Sequence, residues 1–199
     1  RWQGVNLPGL LELVGGLTVM TGIAGIYASA RIYMVPARPS WNNIRTPIAF
    51  FATAFLLGPL TALLLFAWQS RWTAIPLLHN GGALISKCLV AVILTAGFFQ
   101  LGSILAKLFY ILSREEHELR GTAKLLTQHF RISFLSRIGS LLIALLGVPL
   151  TLVGLLQPSL NNVSIWITIL MGLAFGSELL GRYLFFVSAV PKNRPEGYF

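Results

Sequence analysis

Apolar residues in this chain come in runs longer than a globular core uses, separated by short polar breaks. A helix needs roughly 20 mostly apolar residues to cross the hydrocarbon of a bilayer. Runs of that kind fall at 9–30, 47–68, 83–112, 134–156 and 163–190. The breaks carry Pro36 and Pro39, Asn80-Gly81-Gly82, a charged stretch at 113–133, and Asn161-Asn162. No run alternates apolar and polar with a period of two, which leaves out a membrane β-barrel. The pattern predicts an all-α integral membrane protein, a single transmembrane helix bundle with five spans in this chain. Pro59 and Pro149 sit inside the second and fourth spans. Each removes a backbone hydrogen bond, and neighbouring helices can satisfy the carbonyls this frees. Gly172 and Gly176 set a GxxxG spacing in the fifth span, which permits close helix approach.

Composition agrees. Of 199 residues, 55% are hydrophobic and 11% charged, where a soluble domain carries about a quarter charged. Asp is absent and the acids are six Glu, so Asp-built calcium or hydrolase sites are excluded. The single Cys88 excludes an internal disulfide and a self-contained zinc or iron–sulfur centre. The net charge of +9 needs no nucleic acid to explain it, because the basic residues lie between the spans. Twelve of the fifteen fall on the face that bears the 31–46 connection, the 113–133 connection and the C-terminus. Arg1, Arg71 and Lys87 fall on the other. The positive-inside rule then puts the basic face in the cytoplasm. The chain opens on Arg1 directly before an apolar span and shows no signal peptide; it reads as lacking some native N-terminal sequence.

Candidate chemistry is sparse. A haem held between two histidines needs the pair at matching depth within helices. His79, His117 and His129 all lie at span edges, so no such haem is expected in this segment. Glu178 and Arg182 stand four apart in the fifth span and can pair on one helix face. They read either as a structural lock or as part of a ligand or proton site, since ionisable groups in membrane helices are expensive. Glu12 has a similar, weaker status, and Lys87 and Lys107 are expected to snorkel towards the interface. The 31–46 connection gathers Tyr33, Arg38, Trp41 and Arg45 at the basic face. It reads as a belt of interfacial anchors or as a mouth for an amphipathic ring such as a quinone head, with two acceptors on a flat ring. The stretch from Ser113 to Ile132, with Arg114, His117, Arg120 and Lys124, reads as a solvated loop or as a docking surface for a soluble partner. It is expected to form a helical extension followed by an interfacial piece.

A family resemblance bears on these alternatives. The run Ala30-Arg31-Ile32-Tyr33, then Arg38-Pro39-Ser40-Trp41, then Thr46-Pro47, Phe50-Phe51 and Gly58-Pro59-Leu60 resembles the membrane anchor subunit of dimethyl sulfoxide reductase. Glu178-Leu-Leu-Gly-Arg182-Tyr-Leu-Phe185 is similar to the Glu-x-x-Gly-Arg-x-x-Phe signature in that family's last helix. The resemblance implies an eight-helix bundle of which this chain is the C-terminal five, free of haem, in a bacterial inner membrane. It implies a four-cluster iron–sulfur subunit and a molybdopterin catalytic subunit as partners. Electrons would pass between the membrane quinone pool (menaquinone or ubiquinone) and the nearest cluster. The residues expected at the quinone are Tyr33, Arg38, Trp41, Arg45, Glu178 and Arg182; those expected at the partner dock are Arg114, His117, Arg120 and Lys124. With the basic face cytoplasmic, the leading expectation is a relative of sulfite dehydrogenases that reduces quinone. A reductase of S- or N-oxides that oxidises quinol is the alternative. Two readings from other classes stay open: a small-solute transporter, which intramembrane Glu178 and the kinked helices permit, and a purely structural tether.

Overall fold

The computed structural model describes residues 9–73, 82–113, 117–156 and 162–190. Six α-helices follow in chain order: α1 Leu10–Ile32, α2 Arg45–Thr73, α3 Gly82–Leu112, α4 His117–Lys124, α5 Arg131–Leu156 and α6 Val163–Val187. All except α4 are long and apolar enough to cross a membrane. No strand occurs among the described residues. The first span is carried to Ile32, and the second starts at Arg45 and the fourth at Arg131, so each takes in polar residues at its basic-face end. The helices α2 and α5 run on through Pro59 and Pro149.

Neighbouring elements alternate direction, so α1, α3 and α6 end, and α2 and α5 begin, at the basic face. The helices α2, α3, α5 and α6 pack around one apolar core: Leu56, Leu60 and Leu63 from α2, Ile93 from α3, Leu141, Leu145 and Val148 from α5, Ile167 and Leu170 from α6. Hydrocarbon is as apolar as leucine, so this core holds by close packing and not by expulsion of water. Two glycines set the distance: a Cβ at Gly97 would collide with the Leu145 side chain, and one at Gly147 with that of Leu170. Gly172 and Gly176 do not take this part, since a Cβ at either meets nothing within 4 Å. The helix α1 lies against α2 at the edge, with Ala30 its one buried residue.

Two short segments close the basic face. After α1 the chain folds through successive turns: Arg38 N–H donates to Val35 O at 3.1 Å and Trp41 N–H to Arg38 O at 2.9 Å. Pro36 and Pro39 suit such turns by fixing their own backbone angle. Asn43 Oδ1 then accepts from Arg45 N–H at 2.7 Å, satisfying a donor that the start of α2 leaves free. On the other side α4 runs into one π-helical turn, Leu125–His129. Leu119, Ala123 and Leu126 are buried there against Ile111 and Leu184, while Arg120 and Lys124 face outward. The stretch expected to be an extension plus an interfacial piece is thus an amphipathic cap across the ends of α3 and α6.

Candidate functional site

The turn after α1 is fastened to the end of α6 by rings. Trp41 stacks on Phe185 with centroids 4.9 Å apart and planes 9° from parallel, and its Nε1–H donates to Phe185 O at 2.8 Å. Tyr33 meets Trp41, Phe50, Phe185 and Phe186 at 5.5–5.9 Å between centroids. Thr46 Oγ1 donates to Trp41 O at 2.6 Å, so the start of α2 is tied to the same ring. Basic groups lie over these faces, where a cation meets the negative face of the ring. Arg38 Cζ is 4.3 Å from the Trp41 centroid and Arg182 Cζ 3.6 Å from that of Phe50. Lys107 Nζ is 5.2 Å from the centroid of Phe185, and Arg45 Cζ is 4.3 Å from that of Tyr110.

Beneath the rings sits Glu178, 5% exposed. Its carboxyl accepts from Thr53 Oγ1 at 2.6 Å on one oxygen and from Gln100 Nε2 at 2.8 Å on the other. The helices α2, α3 and α6 are therefore joined through one acidic side chain. The pair with Arg182 that the four-residue spacing predicts is not what forms. The carboxyl turns inward to neutral donors and the guanidinium turns to the face of Phe50. Arg137 enters from α5. A Cβ on Gly181 would lie 2.6 Å from Arg137 Cζ, so only glycine at 181 lets the guanidinium lie where it does. Ser177 Oγ donates to Arg137 O at 2.9 Å and holds the two helices at that level.

These groups surround an inner cavity of about 80 Å³. Arg45, Lys107, Arg137 and Arg182 line it with Glu178, four cations to one carboxyl. A larger groove of about 630 Å³ opens outward between α1, α2 and α6, lined by Gly22, Gly25, Tyr33, Phe50, Leu57 and Phe186. Three residues, Phe50, Thr53 and Arg182, border both spaces. The groove has the size and apolar walls of a small-molecule site. The cavity, at its present volume, holds only a few waters.

Of the residues singled out for a quinone, Tyr33 lines the groove, Arg45 and Glu178 the cavity, and Arg182 both. Arg38 and Trp41 line neither; they form the clamp behind it. Lys107 does not snorkel outward but lines the cavity. Sequence reasoning passed over Thr53, Gln100 and Arg137. A polar Gln100 amid Phe98-Phe99 and Leu101 was the available signal. At the expected dock, Arg120 and Lys124 are exposed on α4, Arg114 lies outside the described residues, and of His117 only the backbone at the start of α4 is described.

The family model described as DMSO reductase anchor subunit (DmsC) matches residues 6–187, across all five long helices. The chain belongs to that family. No curated protein and no solved structure gives a significant match. As a DMSO reductase anchor subunit it is a multi-pass membrane protein, the membrane part of a DMSO reductase-type molybdoenzyme with catalytic and iron–sulfur subunits. That assignment replaces the small-solute transporter.

Proposed function

We propose that this anchor is haem-free and interacts with quinone, passing electrons between the quinone pool and a four-cluster iron–sulfur subunit docked on the basic face. One observation carries the reading: a ring-lined groove open on the outside of the bundle shares Phe50, Thr53 and Arg182 with a charged cavity at the basic end. A lipid-soluble quinone can reach such a groove from the bilayer without crossing water. Its flat head suits the faces of Tyr33 and Phe186, and its carbonyls suit the N–H groups of Arg182. The chain supplies position and electrostatics, while quinone and the partner's clusters supply the redox chemistry. Arg120 and Lys124 on the outer side of α4 offer the charge that orients an iron–sulfur subunit.

The distribution of basic residues, twelve against three, favours a cytoplasmic basic face in a bacterial inner membrane. A catalytic subunit on that side fits sulfite oxidation coupled to quinone reduction. Membership of the DMSO reductase anchor family favours the second reading, an S- or N-oxide reductase that oxidises quinol. Titration of the purified complex with a quinone-site inhibitor tests the shared core. Inhibitor is expected to slow electron exchange between added quinol or quinone and the clusters in saturable fashion. An unchanged rate at saturation contradicts the reading.

A further inference from the structure

Among the described residues, three buried side-chain atoms have no hydrogen-bond partner: Ser40 Oγ, Gln100 Oε1 and Arg137 Nε. All three belong to residues that line the inner cavity. Burying a donor or acceptor without a partner costs free energy, and native proteins meet that cost with water where the space is polar and large enough. The cavity, at about 80 Å³, has room for a short cluster. Ser40 lies in the turn at the basic face, Arg137 comes from α5, and Gln100 touches Glu178. The orphaned atoms thus come from the turn at the basic face, from α5 and from the residue that holds the buried carboxyl.

At its other oxygen Glu178 meets Thr53, which is also a wall of the groove. The Thr53 hydroxyl has one proton to give. It lies 2.6 Å from Glu178 Oε2 and 3.0 Å from Ala49 O, so the carboxyl is the nearer acceptor. We propose that the inner cavity is a water-filled proton path, and that Glu178, acting through Thr53, exchanges protons between a quinone in the groove and water at the basic face. This rests on the quinone reading of the groove.

The balance is simple. Quinol loses two electrons to the partner's iron–sulfur subunit and two protons to the chain. In each of two passages an O–H bond of the quinol breaks as its proton goes to Thr53 Oγ1. Thr53 gives up its own proton to Glu178 Oε2, and Glu178 releases one from its carboxyl to cavity water. Quinone reduction runs the same steps backwards. The charged groups facing the carboxyl are Arg45 from α2, Lys107 from α3, Arg137 from α5 and Arg182 from α6, with the Tyr33 phenol on the groove side. Arginine keeps its proton at all working pH. Among the described residues, the ionisable side chains at the cavity besides the arginines are Glu178 and Lys107, and it is Glu178 that is hydrogen-bonded to Thr53 on the wall of the groove.

The test uses the purified complex with its partner subunits, measuring quinol-driven cluster reduction against pH alongside binding of a quinone-site inhibitor. Glu178→Gln is expected to bind inhibitor as wild type does. Its kcat should fall about 100-fold or more, with the pH dependence of the rate flattened. Thr53→Val should slow turnover at unchanged KM, and Thr53→Ser should restore it. If wild type fails to bind inhibitor, the quinone reading falls and takes the proton path with it. If inhibitor binds but Glu178→Gln turns over at the wild-type rate, the path is wrong and the quinone reading stands. Should Glu178→Gln fail to assemble, the Thr53 pair decides: equal rates in the valine and serine variants overturn the proposal.

Discussion

The same four helices, α2, α3, α5 and α6, are packed by one device at two depths and to opposite ends. In the middle of the bundle, Gly97 and Gly147 each admit a leucine, Leu145 and Leu170, and the result is a dry core. Near the basic face Gly181 admits the guanidinium of Arg137, and the result is a cavity of charges. The change is abrupt. Gln100 lies three residues beyond Gly97, about 4.5 Å along the helix. Missing side chains let helices approach, and what fills the gap decides whether that level of the bundle is structural or chemical. Substitutions in the middle should therefore cost stability and spare chemistry; those at the basic end should cost chemistry as well.

The clamp gives the largest expected effect. Trp41, 9% exposed, stacks on Phe185, donates to its carbonyl and carries Arg38 on its face. Trp41→Ala should cost about 3–5 kcal/mol, read as a lower thermal midpoint of the complex together with lost quinone reactivity. Trp41→Phe, which keeps a ring against Phe185, should recover most of it. Next comes the middle of the bundle. Leu141, fully buried, should cost about 2 kcal/mol when cut to Ala, the low end of the usual range, because lipid removes the water-transfer part and leaves the cavity. Electron transfer in the folded fraction should match wild type. Gly181→Ala, which pushes on the guanidinium, should cost about 1–3 kcal/mol and slow quinone turnover severalfold. Gly172→Ala, whose Cβ meets nothing within 4 Å, should change neither and serves as its control. The smallest effect is outside both regions: removing Lys124 from the exposed side of α4 should slow association with the iron–sulfur subunit, most at low salt, with thermal stability unchanged.

The two regions were not equally legible in the sequence. Hydropathy placed the five spans because the bilayer demands about the same apolar length of every helix, and the family motifs pointed to the basic end. The pairing within that end was hidden. A four-residue spacing suggests that Glu178 should meet Arg182, but spacing says nothing of neighbours. The carboxyl finds Thr53 and Gln100 on other helices, while Arg182 finds Phe50. Trp41 and Arg38 were marked by type and place, yet a tryptophan that binds a ring in a ligand and one that binds Phe185 look alike in sequence. Lys107, near the end of α3, had the marks of a snorkelling residue. Its helix turns it to the cavity because α4 and the tryptophan turn close over that end.

Photolabelling of the purified complex with an azidoquinone tests the central claim most directly, since it reports where a lipid-soluble carrier sits. Label is expected on peptides that contain Tyr33 and Phe50 and on the end of α6 around Arg182 and Phe186, and excess unmodified quinone should compete it away. Competable label on the opposite ends of α2, α3 and α5, with none around Arg182, would contradict the account.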